Sequence, residues 1–319
     1  WRADFGRLQQ ICETVVKFPS IKSIGWIDSS SRGPYNETEV ESLFDLLLAV
    51  GLSITELLLP PLFPKDWESK PIDLLSLRCL SLANCTAEIG QAKWYRAIVG
   101  KLESLTISAY LDKMDVLHGA HALRVLKLEG IGSFTALYPM LCELRRLEHL
   151  CMELHAADVE AWASENVSNP TFTKLQCLEL IFNSTWFKSS SDPVLASLTL
   201  LVRSLTAEAK HLQIVRLSTL KPTNYIRWGE SFAGPLVRKC RHSLRVLSLD
   251  TMYLSNDTIN WICGQCTALE ELGFACENEL SDPGRWLYDP ELKRPKRSIS
   301  SRRLESYEWD EEIWGREIY

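Results

Sequence analysis

The pair Cys263-Gly-Gln-Cys266 is the first place in this sequence where residue type and spacing suggest chemistry. A CxxC pair exchanges disulfides when it opens a helix, where the local field favours the thiolate. It holds zinc when two more ligands converge on it. Here the residues before it place Ile259, Ile262, Cys263 and Cys266 on one helical stripe, so the pair falls at a helix end and reads as core. The nearest further ligands, Cys240, His242 and Cys276, match no finger or ribbon spacing. His118-Gly-Ala-His121, with His149 and His155, is a second cluster, and it lacks an evident acidic residue to orient an imidazole. No phosphate loop, Rossmann glycine run, GxSxG or HExxH occurs. The expectation is a non-enzymatic chain with no metal and no cofactor.

Two other patterns bear on location. Lys293, Arg294, Lys296 and Arg297 form a basic cluster followed by Arg302 and Arg303, a candidate import signal or anion-binding loop. The other reading is a solvated insertion balanced by Glu305, Glu308, Asp310, Glu311 and Glu312. Sequons at Asn36, Asn84, Asn166, Asn183 and Asn256 point instead to the secretory route.

The elements that would position these residues come from a repeat. LRCLSL at Leu77 returns as LESLTI at Leu102, LRVLKL at Leu123, LEHLCM at Leu147 and LQCLEL at Leu175. It returns again as LQIVRL at Leu212, LRVLSL at Leu244 and LEELGF at Leu269, with looser copies at Ile21, Ile54 and Leu304. Each copy reads as a short strand. Helical spacing appears between copies, over 3–17, 36–49, 134–147, 193–210 and 255–266. No single strand–helix unit buries both its elements, whereas a stack of them does. The predicted architecture is an α/β solenoid of about eleven irregular repeats, with parallel strands on a concave face and helices on a convex one. Residues 1–17 read as an N-terminal capping helix and 18–319 as one continuous repeat domain. Long insertions fall near 28–37, 60–71, 183–193, 218–235 and 281–301.

Composition agrees with a packed chain. Apolar residues make up 46% of 319, and the net charge of −6 argues against general nucleic-acid binding. The greasiest stretch, 41–63, is interrupted by Glu41, Asp45 and Glu56, so no membrane span is expected. No signal peptide is seen at the start, which is Trp1.

In LxxLxL the leucines point inward, and positions three, five and seven point to the other face. That alternation picks out Lys127, Glu129, His149, Glu153, Glu179, Arg216, Asp250, Glu271, Glu308 and Asp310 as candidate partner-binding residues. Trp67, Trp186, Tyr225 and Trp228 in the insertions are candidate aromatic anchors.

The repeat resembles the leucine-rich repeat family, and more narrowly its cysteine-containing subtype in F-box proteins, including fungal ones. Cys266-Thr-Ala-Leu269 carries the resemblance, with Cys240 before Leu244, Cys142 before Leu147, and Cys85 closing a strand. Ile131 and Met252 depart from it, standing where Asn or Cys would close the strand, and no F-box-like module is seen in the chain. The resemblance implies a protein partner, and a role as substrate receptor or adaptor of a ubiquitin-ligase-type complex in cytoplasm or nucleus. Such a receptor would reach the ligase adaptor through a helical module upstream of the repeats. Two other readings stay open: an extracellular repeat receptor, and a structural or regulatory subunit of a large assembly.

Overall fold

The computed structural model describes residues 22–25, 45, 47–48, 51–59, 73–83, 89–90, 92–111, 115–165, 171–182, 192–219, 226–227, 230–275, 286–289 and 294–297. Ten strands form one continuous parallel sheet in chain order. They are β1 (Ser23–Gly25), β2 (Glu56–Leu59), β3 (Cys79–Ala83), β4 (Ser104–Leu111), β5 (Val125–Ile131), β6 (His149–Leu154), β7 (Cys177–Phe182), β8 (Ile214–Thr219), β10 (Val246–Tyr253) and β11 (Glu271–Ala275). A short β9 (Ile226–Arg227) pairs with the far end of β10.

Each of the ten strands begins at the third position of its repeat, and third positions pair with third positions throughout. Ser23 meets Glu56, Cys79 meets Ser104, Val125 meets His149, and Val246 meets Glu271. The spacing between copies varies from 21 to 37 residues, yet the register at the strand starts does not slip. The cause lies one residue before each strand. The carbonyl of Arg78 accepts from the N–H groups of Glu103 and Ser104, at 2.8 and 3.0 Å. Glu103 does the same for Arg124 and Val125, Arg124 for Glu148 and His149, and Arg245 for Glu270 and Glu271. One acceptor therefore fixes two donors of the next copy, and a one-residue slip would leave both without it.

The leucines of the motif form the core. Leu77, Leu80, Leu82, Leu102, Leu105, Leu123, Leu126, Leu147, Leu150, Leu175 and Leu178 are all buried in a single cluster. Each is worth about 1.5–3 kcal/mol relative to exposure. The helices contribute to the same cluster and so lie on one face of the sheet. They are α1 (Lys93–Ile98), α2 (Phe134–Glu143), α3 (Ala156–Ser164), α4 (Asp192–Leu205), α5 (Glu230–Cys240) and α6 (Asn256–Gln265). Local signals set their starts. Ser133 caps α2 by accepting from Ala136 N–H at 3.3 Å, and Ser255 caps α6 by accepting from Thr258 N–H at 3.2 Å.

α3 is short, and bulky aromatics fill the layer around it. The rings of Phe134 and Tyr138 both pack on Trp162, at centroid distances of 5.7 and 5.0 Å. The Tyr138 hydroxyl continues to Ser204 of α4, at 2.5 Å, so α2 and α4 are joined across an intervening helix.

Several boundaries differ from the sequence expectation. The helices expected over 134–147 and 193–210 end earlier, at Glu143 and Leu205. The insertion expected at 218–235 contains β9 and the start of α5. That at 281–301 contains an antiparallel pair, β12 (Trp286–Asp289) with β13 (Arg294–Arg297), which lies beside β11. At two copies that lack the closing Asn or Cys, the strand continues instead. Ile131 is a buried member of β5 paired with Leu111, and Met252 pairs with Ile226, so ladder hydrogen bonds replace those of a polar side chain. The capping helix at 1–17, the insertions at 28–37 and 60–71, and the copy at Leu304 lie outside the described residues.

Candidate recognition face

The face of the sheet away from the helices carries the side chains of positions three and five in straight rows. Across the centre, the fifth-position row reads Lys127, Cys151, Glu179, Arg216 and Ser248, each beside the next in register. Neighbouring strands lie about 4.8 Å apart, so side chains in one row touch. The Arg216 guanidinium donates to a Glu179 carboxylate oxygen at 2.9 Å. The Lys127 ammonium pairs with Glu129, two residues along the same strand, at 2.7 Å.

Crowding buries much of this face, contrary to the expectation that it stands out into solvent. Cys151 is 1% exposed, Glu179 7%, and Cys177, Ile181 and Ser248 are also buried. The expected alternation is right about direction: the two cysteines and Ile181 are not part of the leucine cluster. Cys151 is small and stands in its row between the longer Lys127 and Glu179, themselves half-buried and buried. Lys127, Glu129, His149, Glu153, Arg216 and Glu271 are half-buried on the same face. The face is thus a polar surface held by its own ion pairs, with a groundwork of small and sulfur-containing side chains.

Burial also sets the thiols. It is the first cause of a raised pKa at every shifted cysteine. Cys79 is pushed up to about 11, with the carboxylates of Glu56 and Glu103 adding to the effect. Cys151 and Cys177 go well above the ordinary range, with Glu179 next in importance for both. The CxxC pair is similar: Cys263 and Cys266 rise to about 11, as does Cys240. Cys266 ends α6, and the Cys240 thiol donates to the Ala209 carbonyl of the preceding copy at 3.8 Å. Cys240 thereby ties the end of α5 to the preceding copy, and Cys266 is buried in the core at the end of α6. Among the described residues, no group of three or more His, Cys, Asp or Glu side chains could hold a metal ion, and His118, His121, His149 and His155 form no such group.

A second feature beside this face escaped the sequence reading. Second positions form a rim in which charge alternates: Arg78, Glu103, Arg124, Glu148, then Gln176 and Gln213, then Arg245 and Glu270. Arg78 pairs with Glu103 at 3.7 Å, Arg124 with Glu148 at 2.7 Å, and Arg245 with Glu270 at 2.8 Å. The signal was present in the motif copies themselves, as the letter after each first leucine.

Asp250 lies in β10, and Arg294, Lys296 and Arg297 lie in β13, but their side chains are outside the described set. Trp67, Trp186, Tyr225, Trp228, Lys293, Glu308 and Asp310 fall outside the described residues altogether. Among the described residues, no helix is long and apolar enough to cross a membrane.

No protein-family model matches the chain, and no curated protein does. Among solved structures, it is similar to an LRR protein of Leptospira interrogans at 12% identity. That alignment covers 84% of this chain and 83% of the other, with a TM-score of 0.27.

Proposed function

We propose that this chain is a non-enzymatic protein-recognition module of leucine-rich-repeat type, and that the helix-free face of its sheet takes a polypeptide partner. The observation that carries this reading is the fifth-position row. Lys127, Glu179 and Arg216 lie in one register, and two internal ion pairs hold them in place before any partner arrives. Preorganised charges of both signs favour on-rate and register selection over raw affinity. Glu129, Glu153 and Glu271 add acidic character, which suits a partner surface with basic residues among neutral ones.

In the cell, the role we propose is substrate receptor or adaptor in a cytoplasmic or nuclear complex of the ubiquitin-ligase type. Support comes from the cysteine pattern of the repeats and from the buried, helix-ending positions of Cys240 and Cys266. Cys79, Cys151, Cys177, Cys240, Cys263 and Cys266 are free thiols, the form a reducing compartment would keep.

The test is affinity purification from the native cell with mass spectrometry, comparing the parent chain with Arg216→Glu and Lys127→Glu. Recovery of a ligase adaptor, with further proteins lost in both variants, is the expected result. Partners retained by both variants would remove the sheet face as the site. A stable assembly lacking any ligase component would remove the receptor role.

A further inference from the structure

A groove of about 620 Å³ opens on the opposite side of the molecule, between α4 and α5. Leu200 of α4 and Pro235 of α5 are its exposed apolar residues, over the buried Val202 and Leu236, and Thr199, Arg203 and Lys239 add polar groups to the lining. That volume is within the range of sites that take compact ligands or the anchor residues of a peptide. Leu200 is 46% exposed, one of few large apolar side chains so open among the described residues. α4 packs closely on α3 but touches α5 far less, which leaves the gap. The groove is nevertheless braced. The Lys239 ammonium donates to the Thr206 carbonyl at 2.6 Å and to the Ala207 carbonyl, so α5 is tied to the C-terminal end of α4.

Charge says what such a groove accepts. Over residues 196–213 and 233–242 the exposed ionic groups are Arg203, Lys210, Arg238, Lys239 and Arg241, against the single carboxylate Glu208. The whole chain has a net charge of −6, so this patch is opposite in sign to the molecule that carries it. It is opposite also to the acidic sheet face. Apolar walls with a cationic rim match an amphipathic segment whose apolar residues enter the groove while its carboxylates meet the rim.

We infer that the groove between α4 and α5 is a second docking site, for an acidic amphipathic segment of a partner polypeptide. It is separate from the sheet face and does not depend on that face binding anything. Leu200 supplies the exposed apolar contact and Arg203 the charge within the lining, with the exposed Arg238 flanking it on α5. Lys239 is already committed to two carbonyls and serves chiefly to hold the walls.

The experiment is selection of a phage-displayed library of random 16-residue peptides on the full 319-residue chain, followed by fluorescence anisotropy with the enriched peptides. Enriched sequences should combine paired apolar residues with Asp and Glu. Their affinity should fall about tenfold or more with Leu200→Asp and with Arg203→Glu/Arg238→Glu, and should weaken as salt is raised. Both changes are at exposed positions, and unchanged thermal melting would show that the fold persists. The inference is overturned if no acidic sequence is enriched, or if enriched peptides bind both variants as they bind the parent. It is overturned equally if phosphatidylserine vesicles sediment the chain through this patch while no peptide is selected, since the patch would then be a membrane contact.

Discussion

The guanidinium of Arg124 forks onto the carboxylate of Glu148, Nε donating to Oε1 at 3.0 Å and Nη2 to Oε2 at 2.7 Å. The same two residues are joined through the backbone, where the Arg124 carbonyl accepts from Glu148 N–H at 2.7 Å. Side chain and main chain therefore make the same link between neighbouring copies. The pairing recurs at Arg245 and Glu270.

This fork has a consequence in acid. The hydrogen bond from Arg124 holds the Glu148 carboxyl below its ordinary value of 4.5, against a smaller opposing effect of burial. A lowered folded pKa means the contribution is complete above the unfolded value and is lost as pH falls through the folded one. Glu148→Gln should cost about 1 kcal/mol or less at pH 7, because Arg124 is half-exposed. Its urea midpoint should move toward that of the parent as the pH falls from 7 to below 4.5. An equal gap at both pH values would show that the ion pair contributes nothing.

The bond between Tyr138 and Ser204 is the strongest candidate for a fold-wide tie. Tyr138→Phe removes one hydroxyl from a buried pair and should cost about 1–2 kcal/mol in denaturant titration. Trp162→Ala empties the ring cluster against which Tyr138 packs and should cost about 3–5 kcal/mol. The reverse order would mean that the cluster collapses around the cavity.

The thiols offer a direct reading of burial. With their pKa values near 11, Cys79, Cys240, Cys263 and Cys266 carry little thiolate at pH 8. Native alkylation by iodoacetamide should be slower than for the denatured chain by on the order of a hundredfold. Mass mapping of the alkylated positions checks each cysteine in turn. Fast native labelling of Cys263 or Cys266 would reopen a redox role for that pair.

Gly119 adopts a φ of 85°, in the left-handed region, at the turn that follows Asp115–Leu117. Gly119→Ala should cost about 1–2 kcal/mol through backbone strain, although the space around an added Cβ is ordinary. Gly264 has φ outside that region and open space, so Gly264→Ala inside α6 should leave stability level or raise it. Thermal melts of the two variants side by side separate strain from helix propensity.

Much of the fold was legible because one motif carried it. Leu77, Leu80 and Leu82 announced both the strand and its buried face, and the in-register partners of Cys79 could be read off the copies. The candidate site was less legible. Glu179 and Cys151 sit on the expected face, but their burial depends on the length of side chains in adjacent strands, which no single copy displays. The helix at Ala156–Ser164 was missed, since its apolar stripe is short and two of its anchoring partners, Phe134 and Tyr138, come from elsewhere in the chain. The groove beside Leu200 was invisible for the same reason: it is a gap between two helices, and sequence records neither one's distance from the other.

The unbroken register of the strand starts turns the sheet into a ruler. Because third positions always meet third positions, the backbone positions of Lys127, Glu179 and Arg216 stand at whole multiples of the interstrand pitch, about 4.8 Å, and their side chains reach out from those fixed points. Connecting segments of any length leave that graduation unchanged. Under the proposed recognition role, a partner would be selected on the intervals between its own charges as much as on their sign. Inserting or deleting one copy between Lys127 and Arg216 would change the interval by one graduation and exchange one set of partners for another.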